Sequence, residues 1–118
     1  RFTLNVTRAD MRAAGYSPSV RLFEAAACGT PIISDYWLGL ETIFDLQEEI
    51  LIADDAEQVL DYLQSTSEMR RRSIADRARQ RVMRSHTANR RAAEFERHVQ
   101  TLLQTGGAPA PVEAGEGV

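Results

Sequence analysis

A loop, a helix, a tight turn and an apolar strand follow one another between residues 16 and 35, and this stretch constrains the fold most strongly. Ser17, Pro18 and Ser19 can cap and start a helix, because a hydroxyl accepts a hydrogen bond from an unpaired amide and proline suits the first turn. Gly29 supplies the left-handed residue that ends a helix. The apolar, β-branched run that follows is typical of an interior strand. The predicted helix spans about Ser19 to Cys28, and the predicted strand spans about Pro31 to Ser34.

Short apolar runs alternate with helical patterns along the rest of the chain, which favours a parallel sheet with right-handed crossovers. Further strands are predicted at residues 2–6 and 50–53, and further helices at 8–14, 40–44 and 88–103. Two more helices are predicted, one from Ser65 to about Arg84 and one that starts at Asp54 and Asp55, with Glu57 and Gln58 as the back-bonding partners of a capping box. A full Rossmann-type sheet has about six strands. The predicted fold class is therefore α/β: a partial Rossmann-like three-layer domain, with a short parallel sheet of about three strands flanked by helices and an all-helical C-terminal end.

Apolar spacing also predicts which helix faces are buried. The predicted stripes are Ala56, Val59, Leu60 and Leu63 in the first of the three C-terminal helices; Met69, Ala75, Ala78 and Val82 in the second; and Ala92, Phe95, Val99, Leu102 and Leu103 in the last. We also expect Cys28, the single cysteine, to be a small buried core residue.

The beginning of the chain and its small number of strands predict a piece of a longer protein. The chain starts at Arg1 and opens almost directly in a strand-like run. We expect residues 1–104 to be one half of a Rossmann-like domain, with the other half upstream. Residues 105–118, rich in Gly, Pro, Ala and Glu without periodicity, are predicted to form a disordered tail.

Composition restricts the classes of partner. The 118 residues carry a net charge of −3, and no apolar run approaches the ~20 residues that span a bilayer. Ten arginines fall within residues 68–104, which raises the alternative of a nucleic-acid surface. Acids and alanines are interspersed among them and no aromatic stacking platform accompanies them, so a solvated helix face is favoured and no nucleic-acid partner is expected.

One cysteine and two histidines twelve residues apart, His86 and His98, predict no disulfide and no zinc site. His86 is expected to cap or pack at a helix junction.

The carboxyl edge of the predicted sheet is where an α/β protein binds ligands. Residues 16–19, 35–39 and 53–55 lie there, and the first segment has the strongest physical case, since free amides at a helix start attract a phosphate. Glu24, one turn into the helix, can accept both hydroxyl protons of a ribose. Periodicity alone favours an alternative, a surface ion pair between Arg21 and Glu24.

Two roles stay equally open for Tyr36 and Trp37. Their rings could stack on a base or sugar, or they could cover the sheet edge.

The run from Pro18 to Asp35 resembles the signature of GT-B glycosyltransferases. It is similar to the group-1 transferases that include the spore-maturation-protein-B-like proteins. Their pattern is Glu, seven residues, Glu, then Ala-x-Ala-x-Gly-x-Pro and an apolar strand. Glu24 matches the second Glu, Gly29 and Pro31 match the turn, and the resemblance extends over about residues 2 to 104. The first Glu, which normally contacts the donor sugar, falls at Tyr16.

The resemblance implies a binding site for a nucleoside-diphosphate sugar, with no cofactor beyond this donor substrate, no metal and no catalytic residue assigned in this chain. Glu24 would bind the ribose hydroxyls, and the backbone at the helix start would meet the diphosphate or the sugar. The implied donor site consists of Ser17, Pro18, Ser19, Val20, Arg21 and Glu24.

The same resemblance implies a wider context for this site. We expect a cytoplasmic enzyme whose N-terminal GT-B domain is absent from this chain. The isolated chain is expected to be inactive, and its open sheet edge invites self-association. The alternative is a non-catalytic Rossmann-like interaction module that has lost the first signature Glu.

Overall fold

Three parallel strands with helices on both faces form the main body of the protein, as the computed structural model shows for residues 1–106. The elements are β1 (Thr3–Asn5), α1 (Ala9–Ala14), α2 (Val20–Ala27), β2 (Ile32–Ser34), a 3-10 turn (Leu40–Thr42), β3 (Leu51–Ile52), α3 (Ala56–Ser65), α4 (Glu68–Ser85) and α5 (Ala88–Thr105). The strand order is β1-β2-β3, with Leu4 opposite Ile33 and Ile33 opposite Leu51. This confirms the predicted partial Rossmann-like α/β fold.

Strand β2 lies at the centre of the sheet and separates two apolar clusters. Successive side chains of a strand point to opposite faces. Ile32 therefore packs with residues of α2 and α4, whereas Ile33 packs with Leu51 and with α3. The first cluster consists of Leu22, Ala26, Ile32, Trp37, Leu40, Ile43, Phe44, Ile50, Ala78 and Val82. The second consists of Ile33, Leu51, Ala53 and Ile74, with Phe2, Val59 and Tyr62 packed against it.

Helix α2 has the predicted caps. The Ser19 hydroxyl accepts a hydrogen bond from the Arg21 amide at 3.3 Å, and Gly29 follows the helix with φ of 70°. The expectation of a buried Cys28 is wrong: Cys28 is the C-cap residue and is exposed. The helix ends at Ala27, so the thiol lies in the turn and outside the buried face formed by Leu22 and Ala26.

Helix α4 buries three of its four predicted stripe residues, Ala75, Ala78 and Val82. The prediction is wrong at Met69, which is 82% exposed, and it missed Ile74, which lies in the core. The start is also displaced, because α3 continues to Ser65 and Ser67 caps α4 by accepting from the Arg70 amide.

Helix α3 has the predicted capping box and a different buried face. Asp55 accepts from the Gln58 amide at 2.8 Å, and the Gln58 side chain accepts from the Asp54 amide at 2.8 Å. Val59 and Tyr62 contact the core, and the predicted Ala56, Leu60 and Leu63 are exposed.

Helix α5 belongs to a second compact unit, which begins at Thr87. Thr87 is its N-cap, and Gly106 ends it with φ of 62°. None of its residues is buried, so the predicted stripe is solvent-accessible, and Phe95 is 71% exposed. Of the predicted tail, Thr105 is the last helical residue, and residues 107–118 lie outside the described part of the chain. Within residues 1–106, no helix is long and apolar enough to cross a membrane.

Candidate functional site

The start of α2 presents free backbone donors. The Ser19 hydroxyl and carbonyl accept from the amides of Arg21 and Leu22. In the described part of the chain, the amides of Ser17, Ser19 and Val20 have no protein acceptor. Pro18 has no amide proton and sets the direction of the chain between the two serines. Three N–H donors at the positive end of a helix dipole can bind an anion.

Glu24 lies one turn further along α2 and is exposed. Its carboxylate has no hydrogen bond or ion pair with any residue in 1–106. The surface pair between Arg21 and Glu24, which periodicity favoured, is therefore not formed in the structure. The Arg21 side chain is exposed as well and is likewise without a carboxylate partner among these residues. The side chains of Arg21 and Glu24 are therefore both accessible to a ligand.

A cleft of about 490 Å³ opens at the carboxyl edge of the sheet. All three strands end in it, and the start of α3 closes one side. Its lining combines apolar and acidic side chains with one arginine; the lining residues are Leu4, Asn5, Val6, Arg12, Ser34, Asp35, Ala53, Asp54, Asp55, Ala56, Val59 and Leu60. Residues 17–21 and Glu24 do not line it. The cleft therefore includes Asp35 and residues 53–55 from two of the three predicted edge segments, whereas the α2 start lies outside its lining.

Asp35 organises this edge, and its role was not predicted. Its carboxylate accepts from the Thr7 amide at 3.0 Å and from the Thr7 hydroxyl at 2.7 Å. Asn5 donates to the Ser34 hydroxyl at 3.1 Å beside it. These bonds tie the ends of β1 and β2 together. The sequence signal is a polar residue directly after each apolar run.

Tyr36 and Trp37, for which stacking and edge covering stayed open, differ in environment. Trp37 is 2% exposed and belongs to the core, so it covers the sheet edge. Tyr36 is 38% exposed and donates its hydroxyl proton to Glu41 at 3.2 Å. Partial burial, followed by this hydrogen bond and the nearby charge of Glu41, raises the pKa of Tyr36.

Several arginines of α4 form contacts that hold the fold together. Arg81 donates to the buried carboxylate of Glu49 at 3.2 and 3.0 Å. Arg70 and Arg77 form ion pairs with Glu48, and Arg79 donates to the Ala27 carbonyl at 3.2 Å. His86 packs against Phe23, with ring centroids 5.7 Å apart, which agrees with the predicted packing role at the helix junction. These contacts hold α4 against α2 and the loop before β3.

A model of the glycosyl transferase-like family matches residues 1–97. The match begins before β1, includes the whole α2 region and ends within α5. No curated protein and no solved structure matches the chain.

Proposed function

Because the chain belongs to the glycosyl transferase-like family, we propose that it binds the nucleoside-diphosphate-sugar donor of an enzyme that transfers the sugar to an acceptor. One observation carries the proposal: the amides of Ser17, Ser19 and Val20 at the α2 start are free, and the unpaired carboxylate of Glu24 belongs to the next turn of the helix after Val20.

The free amides suit the diphosphate. A phosphate oxygen that replaces water on these donors forms charge-assisted hydrogen bonds, each worth about 1.5–3 kcal/mol. Arg21 in the first turn adds a positive side chain next to the same backbone. Departure of a nucleoside diphosphate leaves negative charge on this group, so the same donors would stabilise the transition state.

Glu24 suits the ribose. Glu24 is four positions after Val20, which corresponds to a rise of about 6 Å along the helix. A ribose bonded to the diphosphate extends over a comparable distance. Its two hydroxyls can both donate to one carboxylate, and this carboxylate has no competing partner in the described residues.

We place the acceptor site and any general base on a further segment, the N-terminal domain of a GT-B enzyme acting in the cytoplasm. No acid–base pair is assigned within this chain. The isolated chain should therefore bind the donor and not transfer it. Product above background in a turnover assay with common sugar nucleotides would contradict this assignment.

A second candidate function, a non-catalytic interaction module, is favoured by one residue. Tyr16 stands where the family signature has its first Glu. A module of this kind would keep the fold and lose the donor. The two functions differ in whether Glu24 binds a ribose.

Calorimetric titration of the 118-residue chain with UDP-glucose, GDP-mannose and ADP-glucose tests the proposal. We expect one of them to bind, and Glu24→Ala to weaken its binding at least roughly tenfold because two hydrogen bonds to a carboxylate are lost. Glu57→Ala is the matched control, an exposed glutamate on α3 without a partner in the described residues. Absence of binding supports the interaction module, and binding that is equal in all three proteins contradicts the assignment of Glu24 to the ribose.

A further inference from the structure

We propose that Tyr16 and Tyr36 form an aromatic platform on which the sugar ring of the donor stacks, with the Glu41 carboxylate accepting hydrogen bonds from the sugar hydroxyls. This inference rests on the proposed donor function and assigns the part of the site that distinguishes a sugar nucleotide from a plain nucleoside diphosphate.

Backbone and ring contacts position Tyr16. The backbone there has φ of 50°, a left-handed conformation that L residues other than Asn and Asp rarely adopt. Its amide donates to the Leu38 carbonyl at 2.7 Å, which joins the loop before α2 to the loop after β2. The ring lies against Gly39, where a Cβ atom would be only 2.8 Å from Tyr16 Cε1. Tyr16 nevertheless remains 64% exposed.

Tyr36 and Glu41 are joined on the same loop. The Tyr36 hydroxyl donates to Glu41, and both oxygens of that carboxylate accept from the Gly39 amide, at 3.3 and 3.2 Å. A carboxylate has about four lone-pair sites, so Glu41 can still accept from ligand hydroxyls. Burial and the hydrogen bond to Glu41 are the main causes of the raised pKa of Tyr36, and the charges of Glu41 and Tyr16 add to them, which is consistent with the three side chains lying close together.

A sugar ring matches this chemistry better than other ligands. Its C–H face packs on an aromatic ring, and its hydroxyls donate to a carboxylate. Tyrosine provides a large contact surface at low cost in conformational entropy, and here the rings are already held in place. Tyr16 directly precedes Ser17, whose free amide is the first of the proposed diphosphate donors. A sugar attached to that diphosphate therefore lies next to the platform.

Paired titrations of the full chain separate this inference from the proposed function. Each nucleoside diphosphate (UDP, GDP, ADP) is compared with its sugar derivative (UDP-glucose, GDP-mannose, ADP-glucose). Tyr16→Ala and Tyr36→Ala should each weaken binding of the sugar nucleotide roughly fivefold and leave binding of the diphosphate unchanged. Phe95→Ala is the control, because Phe95 is an exposed aromatic residue on α5, outside the proposed platform.

The outcomes are distinct. If the diphosphate binds and neither tyrosine variant changes the ratio of the two affinities, the platform is wrong and the donor function stands. If nothing binds, both fail. NMR spectra of the unmodified chain provide a measurement that does not depend on folding of the variants. The ring signals of Tyr16 and Tyr36 should shift with the sugar nucleotide and not with the diphosphate, and equal shifts with both would contradict the platform.

Discussion

The ring of Tyr16 occupies the space that a side chain at Gly39 would need. Twenty-three residues separate the two positions in the chain, and both have a positive φ, of 50° and 103°. The loop before α2 and the loop after β2 therefore interlock. The proposed sugar subsite depends on this interlock.

Gly39→Ala should destabilise the protein by about 2 kcal/mol, because it combines backbone strain with a clash against the Tyr16 ring. In a Tyr16→Ala background the clash is absent, and only the strain of about 1 kcal/mol remains. Urea unfolding of the four proteins of this double-mutant cycle measures the coupling. Equal costs of Gly39→Ala in both backgrounds would show that the ring does not lie against Gly39.

Arg81→Ala should lower the free energy of unfolding by about 2 kcal/mol, because it leaves the buried Glu49 carboxylate without its cation. Arg84→Ala, an exposed position on the same helix, should change it by less than about 0.5 kcal/mol. Urea unfolding at neutral pH makes the comparison. Equal effects would mean that the ion pair contributes nothing specific.

Glu68 should make stability depend on pH in the acid range. Its hydrogen bond from Arg71, with a further one from Arg72, lowers the pKa of Glu68 from 4.5 to about 2. A carboxyl with a lowered pKa in the folded state stabilises the protein above pH 4.5, and this contribution is lost as the pH falls toward 2.

Unfolding of Glu68→Gln between pH 2 and 6 tests this dependence, since the variant should lose less stability on acidification than the unmodified chain. Glu57→Gln, at an exposed carboxylate on α3, serves as the control. Identical slopes for all three proteins would rule out a contribution from Glu68.

Ile74→Ala should destabilise the protein by about 3 kcal/mol, since it opens a cavity in the second apolar cluster. Met69→Ala on the same helix should have almost no effect, because Met69 is exposed. Thermal unfolding of the two variants distinguishes the observed buried stripe from the predicted one. A larger loss at Met69 would mean that the helix packs on its other face.

Local patterns predicted the elements and several caps. Ser19, Asp55 and Gly29 act as predicted, because capping involves neighbours within a few residues. The buried faces of α3 and α4 were predicted less well. Met69 and Ile74 are both apolar, and spacing alone does not show which one the sheet covers.

Prediction of the candidate site from the sequence was also limited to features set by neighbouring residues. The free amides at the α2 start follow from the sequence, because Ser19 and Pro18 determine the local geometry. The contacts of Tyr16 with Gly39 and of Glu49 with Arg81 join segments more than twenty residues apart. No periodic pattern records such contacts, so only the folded structure shows them.

Amide-resolved NMR of the full chain during titration with UDP, GDP and ADP tests the central claim most directly. We predict that one diphosphate shifts the signals of Ser17, Ser19 and Val20 more than any others, since these amides are the free donors at the α2 start. A titration in which these three signals stay fixed, with or without shifts elsewhere, would contradict the donor-site proposal.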